Sequence, residues 1–198
     1  MNNIFQKNIN ALAQKNETLA RELLTYIPTD VPELKQENGA YNLFYKNQYL
    51  HNPINPLGEA QGIFAMAENS PVAIHLVYGL GLGYLFQVVS LNSQGAVILY
   101  EPDLNIMKIA FTLVDFSNDI LKKNVYITNN LEQVSEYIYQ KSNTKNSPLL
   151  LSTTSYRELN RENFASLVNE LQQIIGRFGL DLKYTKERFW GLTKNLIK

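Results

Sequence analysis

From Asn69 to Tyr100 the chain carries no Asp, Glu, Lys or Arg, and within that run three glycines alternate with leucine at residues 79–83. The segment PVAIHLVYGLGLGYLFQVVSL is long enough to cross a bilayer. Against a membrane span stand His75 and Gln87 inside it, glycines at its middle, Asn and Ser at both ends, and no flanking basic cluster. What remains is a β-α-β unit: VAIHLVY (72–78) as a strand, the loop Gly79-Leu80-Gly81-Leu82-Gly83, a short apolar helix from Tyr84, and AVILY (96–100) as a second strand. Near-continuous apolar strands imply burial on both faces, which a parallel sheet between helices provides.

The alternation continues. Asp103 is placed to cap a helix running through Val114, Val125 to Thr128 reads as a strand, Leu131 to Gln140 as a helix and Leu149 to Ser152 as a strand. Four strands alternating with helices predict a parallel sheet with right-handed crossovers, most simply in the order third, second, first, fourth.

Upstream, apolar residues at helical spacing predict two short amphipathic helices over 2–27, interrupted near Lys15-Asn16. Pro28 and Pro32 end the second, and 28–39 reads as a connecting loop. Aromatics from Tyr41 to His51 around Lys46-Asn47 predict a hairpin, and Leu57 to Ala67 a helix entered through a proline. Downstream, Phe164, Leu167, Val168, Leu171, Ile174, Ile175 and Phe178 form one helical stripe. A further helical piece follows Leu180, its Phe189, Trp190, Leu192, Leu196 and Ile197 suggesting a face that packs against something else. The expected fold class is therefore α/β: an N-terminal helical segment (1–40), a Rossmann-like parallel sheet with flanking helices and a hairpin (41–155), and C-terminal helices (156–198).

Composition narrows the function classes. Lys plus Arg and Asp plus Glu number 18 each, so no global field draws the chain to nucleic acid or an anionic membrane. Without cysteine there are no disulfides or thiolate ligands, and the opening MNNIFQKNIN lacks a secretory apolar region, which sets the expectation of a cytoplasmic protein. The two histidines are far apart in sequence and form no metal-ligand pattern, so no metal site is expected.

In a β-α-β unit a glycine loop leaves the carboxyl end of the first strand and lets the backbone approach a ligand. Gly79, Gly81 and Gly83 are thus the candidate nucleotide contacts, and Glu101, 22 positions after Gly79, is the candidate acceptor for ribose hydroxyls. Glu59, in NPLGEA, either reaches the same crevice or favours the dipole of its helix. The spacing is G-x-G-x-G, with Tyr84 where a dinucleotide fingerprint has its third glycine. Methyltransferases that use S-adenosylmethionine share this spacing, so a small methyltransferase-like domain is one alternative and a structural domain with an empty loop another. His75 reads as a buried, hydrogen-bonded core residue; His51, beside prolines, reads as more exposed and without a partner. No Ser-His-Asp, G-x-S-x-G or P-loop pattern supplies a nucleophile, so the catalytic residues are unknown.

YLHNPINPLGEA (49–60), VYGLGLGYLF (77–86) and LYEPDLNIM (99–107), in that order, resemble the N-terminal domain of bacterial motility-associated-factor (Maf) glycosyltransferases, over roughly 40–198. The resemblance implies an N-terminal Rossmann-like domain ahead of a larger central domain that carries sugar transfer. It also implies attachment of nonulosonic acids, delivered as cytidine-monophosphate sugars, to Ser or Thr of flagellin in the cytoplasm. On that footing RFWGLTKNLIK (188–198) looks like the start of the central domain, and this chain is an accessory part, inactive alone. Its partners are flagellin or another acceptor protein and the rest of the enzyme. Its ligand, if it holds one, is a nucleotide sugar or an S-adenosylmethionine-like molecule.

Overall fold

The structure, a computed structural model, describes residues 3–142 and 148–177. The helical piece expected beyond Leu180 lies outside them. Helices α1 (Asn3–Ala13) and α2 (Glu17–Thr25) open the chain. They part where expected because Asn16 leaves the helical conformation and caps α2, accepting from Leu19 N–H at 3.1 Å.

Strands β1 (Glu33–Glu37), β2 (Ala40–Tyr45) and β3 (Gln48–Tyr49) then form an antiparallel sheet in the order β1-β2-β3. The predicted hairpin is thus a three-stranded meander, and the expected loop over 28–39 contains β1. The sequence ELKQE hides its strand because β1 is an edge strand, exposed along most of its length. Its partner is set by Asn38-Gly39, both at positive φ (49° and 83°), as in the two-residue turns that match hairpin twist. Lys46-Asn47 turns the same way, at 48° and 64°.

Helix α3 (Pro56–Ala65) begins on Asn55, whose side chain accepts from Gly58 N–H at 2.8 Å. There follow β4 (Ile74–Tyr78), α4 (Tyr84–Asn92), β5 (Ala96–Tyr100), α5 (Leu104–Leu113), the short α6 (Ser117–Ile120), β6 (Val125–Thr128), α7 (Leu131–Lys141), β7 (Pro148–Leu151), α8 (Thr154–Leu159) and α9 (Arg161–Arg177). The four later strands pair in parallel in the order β6-β5-β4-β7, which is the predicted third, second, first, fourth. The α/β, Rossmann-like fold class read from the sequence is the one observed.

Alternate strand residues feed two cores. Val77, Leu99 and Ile127 pack towards α1, α2, α4 and α5, while Leu76 and Ile98 pack towards β2, α7 and α9. The N-terminal helices belong to the first core: Phe5, Ile9, Leu12, Leu19 and Leu23 are buried in it, each worth about 1.5–3 kcal/mol. Buried Asn8 fastens α1 further. Its amide donates to the carbonyls of Phe111 (2.9 Å) and Val114 (2.7 Å), and its side-chain oxygen accepts from Phe116 N–H at 2.7 Å.

Candidate functional site

The register fixes what lies together. Tyr78 pairs with Tyr100, so Gly79 and Glu101 leave adjacent strands side by side at the carboxyl edge of the sheet. Gly79 N–H donates to Tyr100 O at 2.9 Å, and Glu101 N–H to Thr128 O at 3.1 Å. The sequence pairing of loop and carboxylate across 22 positions is a pairing in space.

All three candidate glycines have positive φ: 94° at Gly79, 52° at Gly81 and 84° at Gly83. Alternation with ordinary leucines makes a nest, a bend whose successive N–H groups converge on an acceptor. Here those acceptors come from the protein itself. Leu80 N–H donates to Glu101 Oε2 (2.8 Å), Gly81 N–H to the Tyr156 hydroxyl (2.7 Å), Leu82 N–H to His51 Nε2 (2.9 Å) and Gly83 N–H to Leu80 O (2.7 Å). With Gly79 already bonded, five consecutive donors are engaged. The glycines also make room for these neighbours, since a Cβ on Gly79 would overlap the Tyr156 ring, one on Gly81 the His51 imidazole and one on Gly83 the Phe116 ring.

Glu101 points at the bend, as the sequence reading required, but faces inward with 0% exposure. Oε2 also accepts from the Tyr156 hydroxyl at 2.7 Å, and Oε1 accepts from Asp103 N–H at 2.9 Å. Burial pushes its carboxyl up to about 7, although the bonds from Leu80, Tyr156 and Asp103 favour the charged form. Tyr156 is raised well above the usual phenol value, by burial first and then by the Glu101 charge.

His51 requires a correction. It is 2% exposed rather than open to solvent, its ring edge-on to Tyr84 at 5.1 Å, and it has a partner in Leu82 N–H. The strap that follows β3 carries it inward because Asn42 holds His51 at both backbone groups, at 2.8 and 3.2 Å. Burial lowers its imidazole to about 3, so the ring is neutral, and Nε2 as acceptor leaves the proton on Nδ1. That Nδ1 has no hydrogen-bond partner among the described residues. His75 sits as expected, buried, with Nε2 2.9 Å from Glu68 O and Nδ1 2.8 Å from Ser93 Oγ.

Among the described residues, Glu59 makes no hydrogen bond to the glycine loop. It closes the strap instead, Oε2 accepting from Asn52 N–H at 2.9 Å. Burial raises its carboxyl, opposed by that bond and by Arg157. Sequence reasoning missed Tyr156 altogether, since nothing in TTSYREL marks a residue whose partners lie 55 and 75 positions away. A second polar chain adjoins the site. The Tyr45 hydroxyl donates to Asp103 Oδ2 at 3.0 Å, and Asn105 Oδ1 accepts from the Tyr26 hydroxyl and from Thr29 N–H, each at 3.0 Å.

Among the described residues, no group of three or more His, Cys, Asp or Glu could hold a metal ion, and no helix is long and apolar enough to cross a membrane. Fold and site together define a Rossmann-like α/β domain whose glycine bend is filled by its own side chains. No family model matches the chain, and no curated protein matches it. Among solved structures it is similar in fold to a MAf glycosyltransferase from Magnetospirillum magneticum AMB-1, with a TM-score of 0.59 at 12% identity. That likeness covers 92% of this chain and 36% of the glycosyltransferase, so the chain spans about a third of its length.

Proposed function

We propose that this chain is an accessory domain of a Maf-like protein O-glycosyltransferase. In this reading it helps to position the acceptor protein, flagellin or another, while a separate domain transfers a nonulosonic acid from its cytidine-monophosphate form to Ser or Thr, in the cytoplasm. The observation that carries it is the fold likeness over 92% of this chain to 36% of a glycosyltransferase, which supports a part of such an enzyme. The self-filled loop supports the accessory role. With Leu80, Gly81 and Leu82 N–H groups bonded to Glu101, Tyr156 and His51, no loop donor is free for a nucleotide phosphate.

The same geometry weakens the methyltransferase-like alternative, because the carboxylate meant for a ribose already accepts three protein donors. A structural role for the loop inside the accessory domain accords with all of these contacts. The test is intact-mass analysis of flagellin incubated with a cytidine-monophosphate nonulosonic acid. The chain alone should leave the mass unchanged, and the chain supplied together with a Maf-type sugar-transfer domain should add one sugar residue. Sugar addition by the chain alone would overturn the accessory role, and no difference between that domain with and without the chain would overturn the glycosyltransferase reading. A thermal-shift response to S-adenosylmethionine, about 2.7 kcal/mol at one hundred times the dissociation constant, would restore the methyltransferase alternative.

A further inference from the structure

Strand β1 ends its sheet in the order β1-β2-β3, so among the described residues it is paired along one side only. Which of its groups face outward follows from the register. The Asn38-Gly39 turn makes Glu37 and Ala40 a hydrogen-bonded pair, so Lys35 with Asn42 and Glu33 with Phe44 are hydrogen-bonded pairs too. Leu34 and Gln36 therefore turn their N–H and C=O groups away from β2. Leu43, opposite Leu34, agrees, since its carbonyl is turned to β3 and accepts from Leu50 N–H at 2.9 Å. The β6 edge of the larger sheet differs: Val125 N–H donates to Lys122 O at 3.2 Å, and Ile127 O accepts from the Asn16 amide at 3.2 Å. Exposed Ile27, Val31 and Leu34 lie on the stretch that leads into β1, and Asn105 pins that stretch by accepting from Thr29 and Asp30 N–H.

We infer that β1 is the docking edge for a second copy of this chain, the two strands running antiparallel about a two-fold axis at Leu34. In that register each Leu34 N–H donates to the Leu34 carbonyl of the other copy, and each Gln36 N–H to the Pro32 carbonyl. Glu33 faces Lys35 at both flanking pairs, the non-hydrogen-bonded positions where side chains stand closest. The charge order Glu-Leu-Lys is complementary to its own reverse about the leucine, which favours a copy of this chain over an unrelated strand. Moving the axis to Lys35 sets lysine against lysine and Glu33 against Glu37, and moving it to Gln36 carries Leu34 onto the Asn38 turn. Pro32 has no N–H and ends the ladder. Because a two-fold pairing uses the edge of each copy, assembly stops at two. The dimer stands independently of any glycosyltransferase role.

Sedimentation of the full chain between about 1 μM and about 1 mM, with amide hydrogen exchange at both ends of that range, tests it. Protection at Leu34 and Gln36 should rise with the dimer fraction, while Lys35 and Glu37, bonded to β2, change little. Lys35→Glu sets glutamates against each other at both flanking pairs and should raise the dissociation constant about tenfold or more. Adding Glu33→Lys to that variant restores opposite charges and should bring the constant back to within about threefold of wild type. A monomer throughout, a dimer unmoved by Lys35→Glu, or a double variant that binds no tighter than the single one would overturn the inference. Should the variants fail to fold, the wild-type exchange decides. Exchange at Leu34 and Gln36 that is the same at both concentrations, whether fast or slow, would sink the dimer, the slow case giving this edge to another part of the same chain.

Discussion

At the scale of single residues, the glycines separate two kinds of position that look alike in sequence. Gly81 combines φ of 52° with an imidazole where its Cβ would stand, whereas Gly62 lies inside α3 with open space around it. Gly81→Ala should therefore destabilise the fold by about 2–4 kcal/mol, through backbone strain plus displacement of His51. Gly62→Ala should stabilise it by about 0.5–1 kcal/mol, because a helix interior favours alanine. Urea unfolding of the two variants measures both, and equal effects would show that the bend tolerates a side chain. The sequence did reveal which glycines bend the chain, since G-x-G-x-G at a strand's end has few other uses. It could not reveal what fills the bend. His51 and Tyr156 are single side chains arriving from distant segments, and no local pattern encodes them.

Helix caps and turn residues were legible at the scale of elements, with one instructive lapse. Asn55 and Asp103 cap α3 and α5 where the sequence placed their starts. Asn38-Gly39 is a stronger hairpin signal than Lys46-Asn47, yet only the second drew a strand, because ELKQE lacks the apolar alternation of a half-buried strand. The four-residue α6 also escaped, being too short for any periodicity. Two asparagine caps give a graded prediction. Asn130 only caps α7, accepting from Gln133 N–H at 3.1 Å, so Asn130→Ala should cost about 1 kcal/mol. Asn16 caps α2 and also donates to Ile127 O and Gln133 Oε1, each at 3.2 Å, so Asn16→Ala should cost about 2 kcal/mol. Comparable losses in thermal unfolding would mean that the tie from α2 to β6 contributes little.

For the whole molecule, buried titratable groups set how stability varies with pH. The folded Glu101 carboxyl, at about 7, lies above its ordinary value of 4.5, so its stabilising contribution is complete below 4.5 and lost as pH rises through 7. His51 works in the opposite sense: lowered to about 3 from 6.5, it stabilises above 6.5 and the contribution is lost as pH falls towards 3. Between these limits the two slopes oppose each other. Glu101→Gln removes one of them, so the variant's stability relative to wild type should rise by about 3 kcal/mol from pH 4.5 to 7 and then level off. A difference that stays constant across denaturant titrations at those pH values would place the carboxyl in water. Sheet order was the most legible global feature, because buried parallel strands leave long apolar runs and crossovers restrict their sequence. The N-terminal helices were less so: their stripes announced burial but not that α1 would be pinned by Asn8 to the end of α5, 103 positions away. The glycine bend has a similar reach, with its acceptors at positions 51, 101 and 156. On the ribosome, then, a nascent chain that has already made both strands of the β-α-β unit still holds an unfinished bend, and the last of its three acceptors is supplied only once Tyr156 has emerged.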